Sequence, residues 1–415
     1  MHKYKVSFGD KEIVDAVGQY GSPIWLYDFD VIEKRIRDLR FFGVIRYAQK
    51  AASNINLLSR MKNMGVEVDA VSAGEIVRAL RAGFAPNQIR YTADIFDRDA
   101  LALVKEHSIP VNIGSQDMLF QLREAGINVP LAIRINPGFG HGHSKKVNTG
   151  GKLSKHGIWH SDLEAVAQKA AEFGFTVECL HIHIGSGSDY IHLSQVVSAM
   201  EHAVNSVAAS APELKIISVG GGLPISYKRD GHERHINLEK YYGIWDTTRL
   251  RINSNLGQYL QLEVEPGRYL VAESCVLAAE IRAVKKVDKN LFYLVDAGFT
   301  DLVRPAFYGA YHHISVIHRH EKETCEEADV IVAGPLCESG DVFTQEESGI
   351  VVSRKLPLAQ VGDLLVIHDA GAYGSAMSSN YNSRLLAPEI LWEKGEFTQI
   401  RKRQTFEQLL SNEII

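Results

Sequence analysis

Short apolar runs alternate with longer amphipathic stretches between residues 44 and 270. Each run ends in small or polar residues. The stretches between them, such as GEIVRALRAG (74–83) and SDLEAVAQKAAEFG (161–174), carry apolar residues three and four positions apart. Such runs and spacings are typical of buried strands and amphipathic helices, respectively. The predicted strands are VIRYA (44–48), VEVDAVS (66–72), IRYTA (89–93), IPVNIG (109–114), LAIRINPG (131–138), ECLHIHIGS (178–186), KIISVGGG (215–222) and LQLEVEPGR (260–268).

Eight repeats of strand and helix predict a parallel sheet that closes into a (β/α)8 barrel, with an open doubly wound sheet as the alternative. After about residue 272 the pattern changes to strand-like runs separated by turns and loops, which predicts an all-β module. The early run PIWLYD (23–28) is expected to join that module, because it has no partner in the barrel. The predicted domains are a barrel over 30–272 and a β domain formed by 1–29 and 273–415.

Composition is that of an ordinary globular protein and excludes several classes. The 415 residues include 45 Lys+Arg and 50 Asp+Glu, and the resulting net charge of −5 argues against a non-specific nucleic-acid binder. Apolar residues make up 45%, enough for a large core. No apolar run approaches the roughly 20 residues of a membrane span. With four scattered cysteines and no signal-like N-terminus, the chain is expected to be a cytoplasmic protein with reduced thiols.

Unusual residues follow several of the predicted barrel strands at their carboxyl ends, where barrel enzymes place their chemistry. Lys50 follows the first strand, His183 ends the sixth, the glycine run 220–222 ends the seventh and Glu265 ends the eighth. Each has a structural alternative, because a rim lysine can extend into solvent, glycines can form a tight turn and a carboxylate can pair with arginine. Four such positions on one rim favour a functional site.

These residue types fit a cofactor that has an aldehyde and a phosphate. A desolvated lysine can form a Schiff base, three glycines let backbone N–H groups approach a phosphate, and a buried carboxylate suits a protonated pyridine nitrogen. His181 and His183 lie on one side of a strand, and stacking of an imidazole on a planar ring is favoured for them. A metal site that includes HGH (141–143) is disfavoured, because no carboxylate or thiolate cluster with ligand spacing accompanies it.

Taken together, the motifs resemble the fold-type III pyridoxal-phosphate-dependent decarboxylases over nearly the whole chain. The motifs that carry the resemblance are RYAQKA, INPGFGHGHSKKVNTGG, SKHGIW, HIHIGS, GGG, EPGR, VDAGFTDLVRPAFYGAYHH, AGPLCESGDVFTQ and DAGAYGSAMSSNYNSR. The resemblance implies an alanine-racemase-like barrel, a C-terminal β-sandwich domain and pyridoxal 5′-phosphate as the cofactor. The chain departs from many relatives at residues 51–54 and at His156, where phenylalanine is common.

The resemblance also implies a role for each site residue. Lys50 would bind the cofactor aldehyde, His183 would stack on the ring and Glu265 would face the pyridine nitrogen. The residues implied around the phosphate are Ser186, Gly220, Gly221, Gly222, Gly267, Arg268 and Tyr373. The residues implied for the substrate are Arg268, Arg304 and Tyr308 for a distal carboxylate, Tyr373 beside them, and Glu338 for a distal amine. Glu338 and the proton donor Cys337 would come from the second subunit of a homodimer with shared active sites.

The implied reaction is decarboxylation of meso-2,6-diaminopimelate at its D-centre, which gives L-lysine and CO2 in the last step of lysine biosynthesis. Three alternatives remain open. A related decarboxylase, acting on arginine, ornithine, a D-amino acid or a siderophore intermediate, would share the cofactor residues. A racemase is expected to place a cation where Glu265 lies. A non-enzymatic paralogue is expected to have lost the lysine or the acid.

Overall fold

In the structure, which is a computed structural model, the chain folds into two compact units. The residues it describes are 5–140, 150–183, 185, 190–229, 236–319 and 326–414. The first unit, here called the barrel unit, comprises Arg35–Pro224 and His235–Tyr269. The second, here called the β unit, comprises Met1–Lys34, Ile225–Arg234 and Leu270–Ile415. Within the described residues, no helix has both the length and the apolar character needed to cross a membrane.

Strands and helices alternate in the barrel unit, whereas strands predominate in the β unit. The strands are β1 (Ile24–Asp28), β2 (Val44–Ala48), β3 (Glu67–Ala70), β4 (Ile89–Ala93), β5 (Val111–Ile113), β6 (Leu131–Asn136), β7 (Ile158–Trp159), β8 (Val177–Ile182), β9 (Ile216–Ser218), β10 (Gln261–Val264), β11 (Cys275–Val287), β12 (Asn290–Val295), β13 (Ile314–Ile317), β14 (Glu327–Ala333), β15 (Arg354–Pro357), β16 (Leu364–Ile367), β17 (Glu389–Glu393) and β18 (Glu396–Arg401). The α-helices are α1 (Asp10–Tyr20), α2 (Phe29–Arg37), α3 (Ile55–Asn63), α4 (Ala73–Arg81), α5 (Arg98–His107), α6 (Gln116–Glu124), α7 (Leu163–Glu172), α8 (Tyr190–Val207), α9 (Leu238–Leu256), α10 (Arg268–Val271), α11 (Arg304–Tyr308) and α12 (Phe406–Leu410).

Eight parallel strands close into a barrel. Their order around it is β2, β3, β4, β5, β6, β8, β9 and β10, and β10 pairs with β2 to complete the ring. Each of the eight overlaps one predicted apolar run, and β7 adds only a short extension beside β6. Because the ring has no free edge, the predicted (β/α)8 barrel is confirmed and the open doubly wound sheet is excluded.

A buried charge network crosses the inside of the barrel. Glu263 on β10 is fully buried, and its Oε2 accepts hydrogen bonds from Arg46 Nε at 3.0 Å and Nη2 at 2.9 Å. Its Oε1 accepts a further hydrogen bond from Arg90 Nη1. One carboxylate therefore links β10 to β2 and β4. Two cations on one buried anion compensate the cost of removing these charges from water.

The β unit is built on a nine-stranded mixed sheet. The main path is β15-β14-β12-β11-β1-β17-β18, and β16 pairs with both β11 and β13. β1, which contains most of the early run 23–28, lies between antiparallel β11 and parallel β17. Helix α1 buries Ile13, Ala16 and Val17 in the same apolar cluster as Ile24 and Leu26 of β1.

Candidate active site

Lys50 lies at the carboxyl end of β2, in the 3-10 turn Gln49–Ala51. Its side chain is exposed, and its charge acts on two nearby carboxyl groups, those of Asp69 and Glu75. Burial raises the pKa of Asp69 to about 7 and also raises the pKa of Glu75, while the ammonium of Lys50 opposes both shifts. The structure therefore places an accessible amine beside acidic groups at the mouth of the barrel.

Glu265 follows β10 and is buried in the barrel. Its Oε1 accepts a hydrogen bond from Ser218 Oγ at 2.8 Å, and its Oε2 lies 3.1 Å from His181 Nε2. Burial by itself raises the pKa of this carboxyl, but His181, Arg90 and Ser218 together hold it well below its usual range. The group is therefore a fixed negative charge at neutral pH.

The glycine run 220–222 packs directly against the predicted site residues. The backbone N–H of Gly221 donates to His183 Nδ1 at 3.1 Å, and Glu265 N–H donates to Gly220 C=O at 2.8 Å. A Cβ atom would lie 2.3 Å from Ile182 C=O at Gly220, where φ is +70°, and 2.3 Å from Glu265 C=O at Gly221. Only glycine fits these two positions, so the backbone itself forms the surface of a cradle.

His183 is half-buried beside the cradle. Burial lowers its pKa well below the usual value, and the positive charges of Arg134 and Lys50 lower it further. The imidazole is therefore neutral at physiological pH. A neutral ring is the form that stacks on a planar cofactor without adding a repulsive charge.

The remaining predicted barrel residues lie close to this region in sequence or space. Gly267 lies two residues after Glu265, and a Cβ atom there would be 3.4 Å from Ala48 and from Ala51, on either side of Lys50. Arg268 is half-buried and begins α10. Ser186 lies outside the described residues, as does the HGH segment of the metal alternative. Within the described ranges, no His, Cys, Asp and Glu side chains form a group of three suited to a metal ion.

Sequence reasoning missed three polar residues that organise the site. Asn112 Nδ2 lies 2.7 Å from His181 Nδ1, Ser218 holds Glu265, and the charge of Arg134 acts on both Glu265 and His183. All three lie in strands whose residues are mostly apolar, with the sequences VNI, IIS and LAIRIN. A polar residue within a buried strand is the signal that could have identified them, because such a residue needs a partner inside the barrel.

Four of the residues predicted for the substrate and for proton donation lie in two groups in the β unit. Arg304 is buried on α11 and Tyr308, on the same helix, is half-buried. Cys337 and Glu338 are exposed on the loop after β14. Tyr381 Oη donates to Glu338 Oε1 at 2.5 Å, and the Cys337 N–H donates to Asn382 Oδ1 at 3.2 Å.

Tyr373 lies on a third segment of the β unit. It is half-buried, with a positive φ of 58° that an L residue seldom adopts. Such backbone is costly for a tyrosine and is retained only where surrounding contacts fix it.

The barrel residues fit pyridoxal phosphate. The fit rests on three observations: an exposed amine at Lys50, a carboxyl group at Glu265 whose pKa lies well below its usual range, and a glycine run in which Gly220 and Gly221 leave no room for a side chain. These are the groups needed for an aldehyde, a pyridine nitrogen and a phosphate. Fold and site together define a pyridoxal-phosphate-binding barrel enzyme.

Comparisons with known proteins lead to the same class. The family model described as "Pyridoxal-dependent decarboxylase, pyridoxal binding domain" matches residues 30–272. The chain is 51% identical to a diaminopimelate decarboxylase of Buchnera aphidicola subsp. Acyrthosiphon pisum, over 97% of this chain and 96% of that one. It is 49% identical to the Escherichia coli K12 enzyme of the same name, over 96% and 95%. The chain belongs to the pyridoxal-dependent decarboxylase family.

Solved structures agree with this assignment. One described as a crystal structure of diaminopimelate decarboxylase is 48% identical and covers 99% of each chain, with a TM-score of 0.93. Another, from Helicobacter pylori and complexed with L-lysine, is 31% identical, with a TM-score of 0.85. It covers 96% of this chain and 98% of its own. The cofactor of the family is pyridoxal phosphate, as the sequence motifs imply.

Proposed function

We propose that the protein removes CO2 from the D-centre of meso-2,6-diaminopimelate and releases L-lysine. The single observation that carries decarboxylase chemistry is the ionised Glu265, held by Ser218 and His181 inside the same barrel that presents Lys50. A racemase is disfavoured, because a carboxylate occupies the position where a cation is expected. The relatives of about 50% identity are named diaminopimelate decarboxylase, which supports the choice of substrate.

The residues of the barrel unit have separable roles in this proposal. Bound pyridoxal phosphate supplies an electron sink for the electron pair that remains when CO2 departs. Lys50 is the amine that would hold the cofactor through its aldehyde. Glu265 would keep a proton on the pyridine nitrogen, because a fixed anion favours the protonated ring. The glycine run 220–222, with Gly267 and Arg268, would surround the phosphate, and neutral His183 would lie against the ring.

The residues of the β unit select the substrate in this proposal. Arg304 and Tyr308, together with Arg268 and Tyr373, bind the carboxylate of the distal L-centre, and Glu338 binds its amine. A site built for both groups would leave buried charges unpaired when ornithine or arginine is bound. Cys337 supplies the proton that replaces the lost CO2.

A panel of amino acids tests the proposal. The purified protein, loaded with pyridoxal phosphate, should release equal amounts of CO2 and L-lysine from meso-diaminopimelate, with far slower release from arginine, ornithine and D-lysine. Preferential release from any other member of the panel would replace diaminopimelate as the substrate. The absence of CO2 release from every member would contradict decarboxylase activity.

Replacing Arg304 with alanine should chiefly impair recognition of the distal carboxylate. We expect kcat/KM for meso-diaminopimelate to fall by about 100-fold, because the carboxylate would lose a buried charged partner. Steady-state kinetics measure the change, and the fall should come mainly from KM. Arg282→Ala is the matched control, since Arg282 is an exposed arginine of the same unit that pairs with Glu280 at 2.6 Å. Equal kinetics for the two variants would remove Arg304 from the substrate pocket.

We further propose a homodimer in which each active site takes Cys337 and Glu338 from the partner. Both residues are exposed in the single chain, which leaves them available to a second copy. An interface that brings residues of one protomer to the site of the other makes the monomer inactive. Cytoplasmic location stays a prediction.

Two inactive variants should complement each other in mixed dimers. Lys50→Ala and Glu338→Ala damage different subunits of a shared site, so a hybrid retains one intact site. Random reassociation makes about half of the dimers hybrids, so mixing should restore up to roughly a quarter of wild-type activity. Lys50→Ala mixed with Glu265→Gln is the control, because both changes lie in the same barrel and no hybrid has an intact site. If hybrids form without recovered activity, the shared site is wrong.

A further inference from the structure

The guanidinium of Arg304 donates hydrogen bonds to the side chains of Tyr227 and His312. Its Nη1 donates hydrogen bonds to Tyr227 Oη and to His312 Nε2, both at 2.9 Å. The guanidinium carbon also lies 4.9 Å from the centre of the Tyr227 ring, within the range of a cation–π contact. The two partner rings meet edge to face, with centroids 5.2 Å apart. These contacts fix Arg304 in place.

The tautomer of His312 follows from its second contact. Its Nδ1 lies 2.9 Å from the backbone C=O of His368, and a carbonyl can only accept, so Nδ1 carries the hydrogen. In the neutral ring, Nε2 is then an acceptor, which is what an arginine N–H requires. The fixed carbonyl of His368 therefore sets His312 as an acceptor for Arg304.

The chemistry of these partners matters for binding an anion. An aspartate or glutamate at either position would hold Arg304 equally well but would also neutralise it. A phenol oxygen and a neutral imidazole accept hydrogen bonds from the guanidinium and bring no negative charge of their own. These two contacts therefore orient Arg304 without placing a competing carboxylate at either position.

The position of Tyr227 is fixed within the β unit. It lies five residues after Gly222 along the chain, in the short stretch Ile225–Arg234 that belongs to the β unit. The same stretch is tied within that unit by the Lys5 ammonium, which donates to the Ser226 C=O at 2.8 Å and pairs with Glu273 at 2.5 Å. The position of the Tyr227 hydroxyl is therefore set by the fold rather than by an unconstrained loop.

We propose that Tyr227 and His312 are positioning residues that determine substrate specificity by orienting Arg304 toward the distal carboxylate of the substrate. The inference rests on the proposed function, in which Arg304 binds that carboxylate. Neither residue takes part in bond breaking. Their loss therefore affects binding of the carboxylate and leaves the chemical step and cofactor binding intact.

Kinetics of conservative variants test the proposal on the loaded, full-length enzyme. Tyr227→Phe removes one oxygen and retains the ring. It should raise KM for meso-diaminopimelate about 10-fold, with kcat within about twofold, because one hydrogen bond to a charged group is lost. The inhibition constant of L-lysine, which keeps the L-centre carboxylate, should rise by a similar factor. The dissociation constant of pyridoxal phosphate should not change.

His312 is tested by a pair of variants that differ in acceptor capacity. His312→Leu should raise KM as Tyr227→Phe does, whereas His312→Gln should restore much of the affinity, because its amide oxygen can accept from Arg304. Tyr293→Phe is the matched control, since its hydroxyl contacts only the β15 region in the described contacts, at Pro357 C=O and Ala359 N–H. It should lower stability without changing KM.

The outcomes separate this inference from the proposed function. Failure of the wild-type enzyme to act on meso-diaminopimelate overturns both. An active wild type with Tyr227→Phe indistinguishable from Tyr293→Phe in KM and in L-lysine inhibition overturns the positioning role alone. A fall in kcat with unchanged KM would likewise contradict it. If His312→Leu does not fold, Tyr227→Phe and His312→Gln still test the positioning role.

Discussion

Lys50→Ala is expected to abolish decarboxylation and the visible absorption of the protein-bound cofactor. Lys50 is the amine at the mouth of the barrel, and without it the aldehyde has no covalent partner and the product has no amine to displace it. We expect kcat to fall by at least about 1,000-fold, as for other residues that carry covalent catalysis. Absorption spectroscopy and CO2 release measure the two effects on one sample.

A second lysine variant shows whether the effect is specific. Lys105 is an exposed lysine on α5 of the same barrel unit, and its ammonium donates to the Ala125 C=O at 2.7 Å. Lys105→Ala should retain full activity and the cofactor absorption. If Lys50→Ala also kept the absorption, another lysine would hold the cofactor and the site would have to be placed elsewhere.

Glu265→Gln is expected to lower kcat by about 100- to 1,000-fold, the range seen when one preorganised electrostatic partner is removed. Glutamine keeps the shape and the hydrogen bond from Ser218 but loses the negative charge that holds a proton on the cofactor ring. The affinity for pyridoxal phosphate should change less than kcat does. Steady-state kinetics with saturating cofactor separate the two quantities.

Glu263→Gln is the matched control for Glu265→Gln. Glu263 lies two residues before Glu265, on β10. Glu263 is the only anion that the described contacts place between Arg46 and Arg90. Its neutralisation should lower the free energy of unfolding by about 3–5 kcal/mol, because buried Arg90 loses its anionic partner and buried Arg46 retains only the half-buried Glu67. Urea unfolding should therefore show a larger loss of stability for Glu263→Gln than for Glu265→Gln. Steady-state kinetics should show a larger loss of kcat for Glu265→Gln than for Glu263→Gln. The opposite assignment would contradict the roles given to the two carboxylates.

The barrel could be predicted from the sequence, while part of the β unit could not. Barrel strands are buried on both faces, so each appears as a short apolar run at a regular interval. By contrast, β13 (Ile314–Ile317) and β15 (Arg354–Pro357) have four residues each and lie among histidines or charged residues, which conceals their period. Helix α1 was missed although Ile13, Ala16 and Val17 have helical spacing.

The site could be predicted only at strand ends. Lys50, His183 and Glu265 end strands of a parallel barrel, so one rule places them on one rim. The contacts of Asn112 with His181, or of Tyr227 with Arg304, join residues 69 and 77 positions apart. No local pattern encodes such partners, because side-chain packing across the folded chain selects them. Tertiary structure is therefore needed to find the residues that orient the chemistry.

Reduction of the holoenzyme with borohydride, followed by peptide mass spectrometry, tests the central claim most directly. Borohydride makes the lysine–cofactor linkage permanent, so the labelled peptide identifies the amine that holds the aldehyde. A phosphopyridoxyl group on the peptide that contains Lys50 is the predicted result. The same group on any other lysine, or no label in an enzyme that still decarboxylates, would contradict the site described for this barrel.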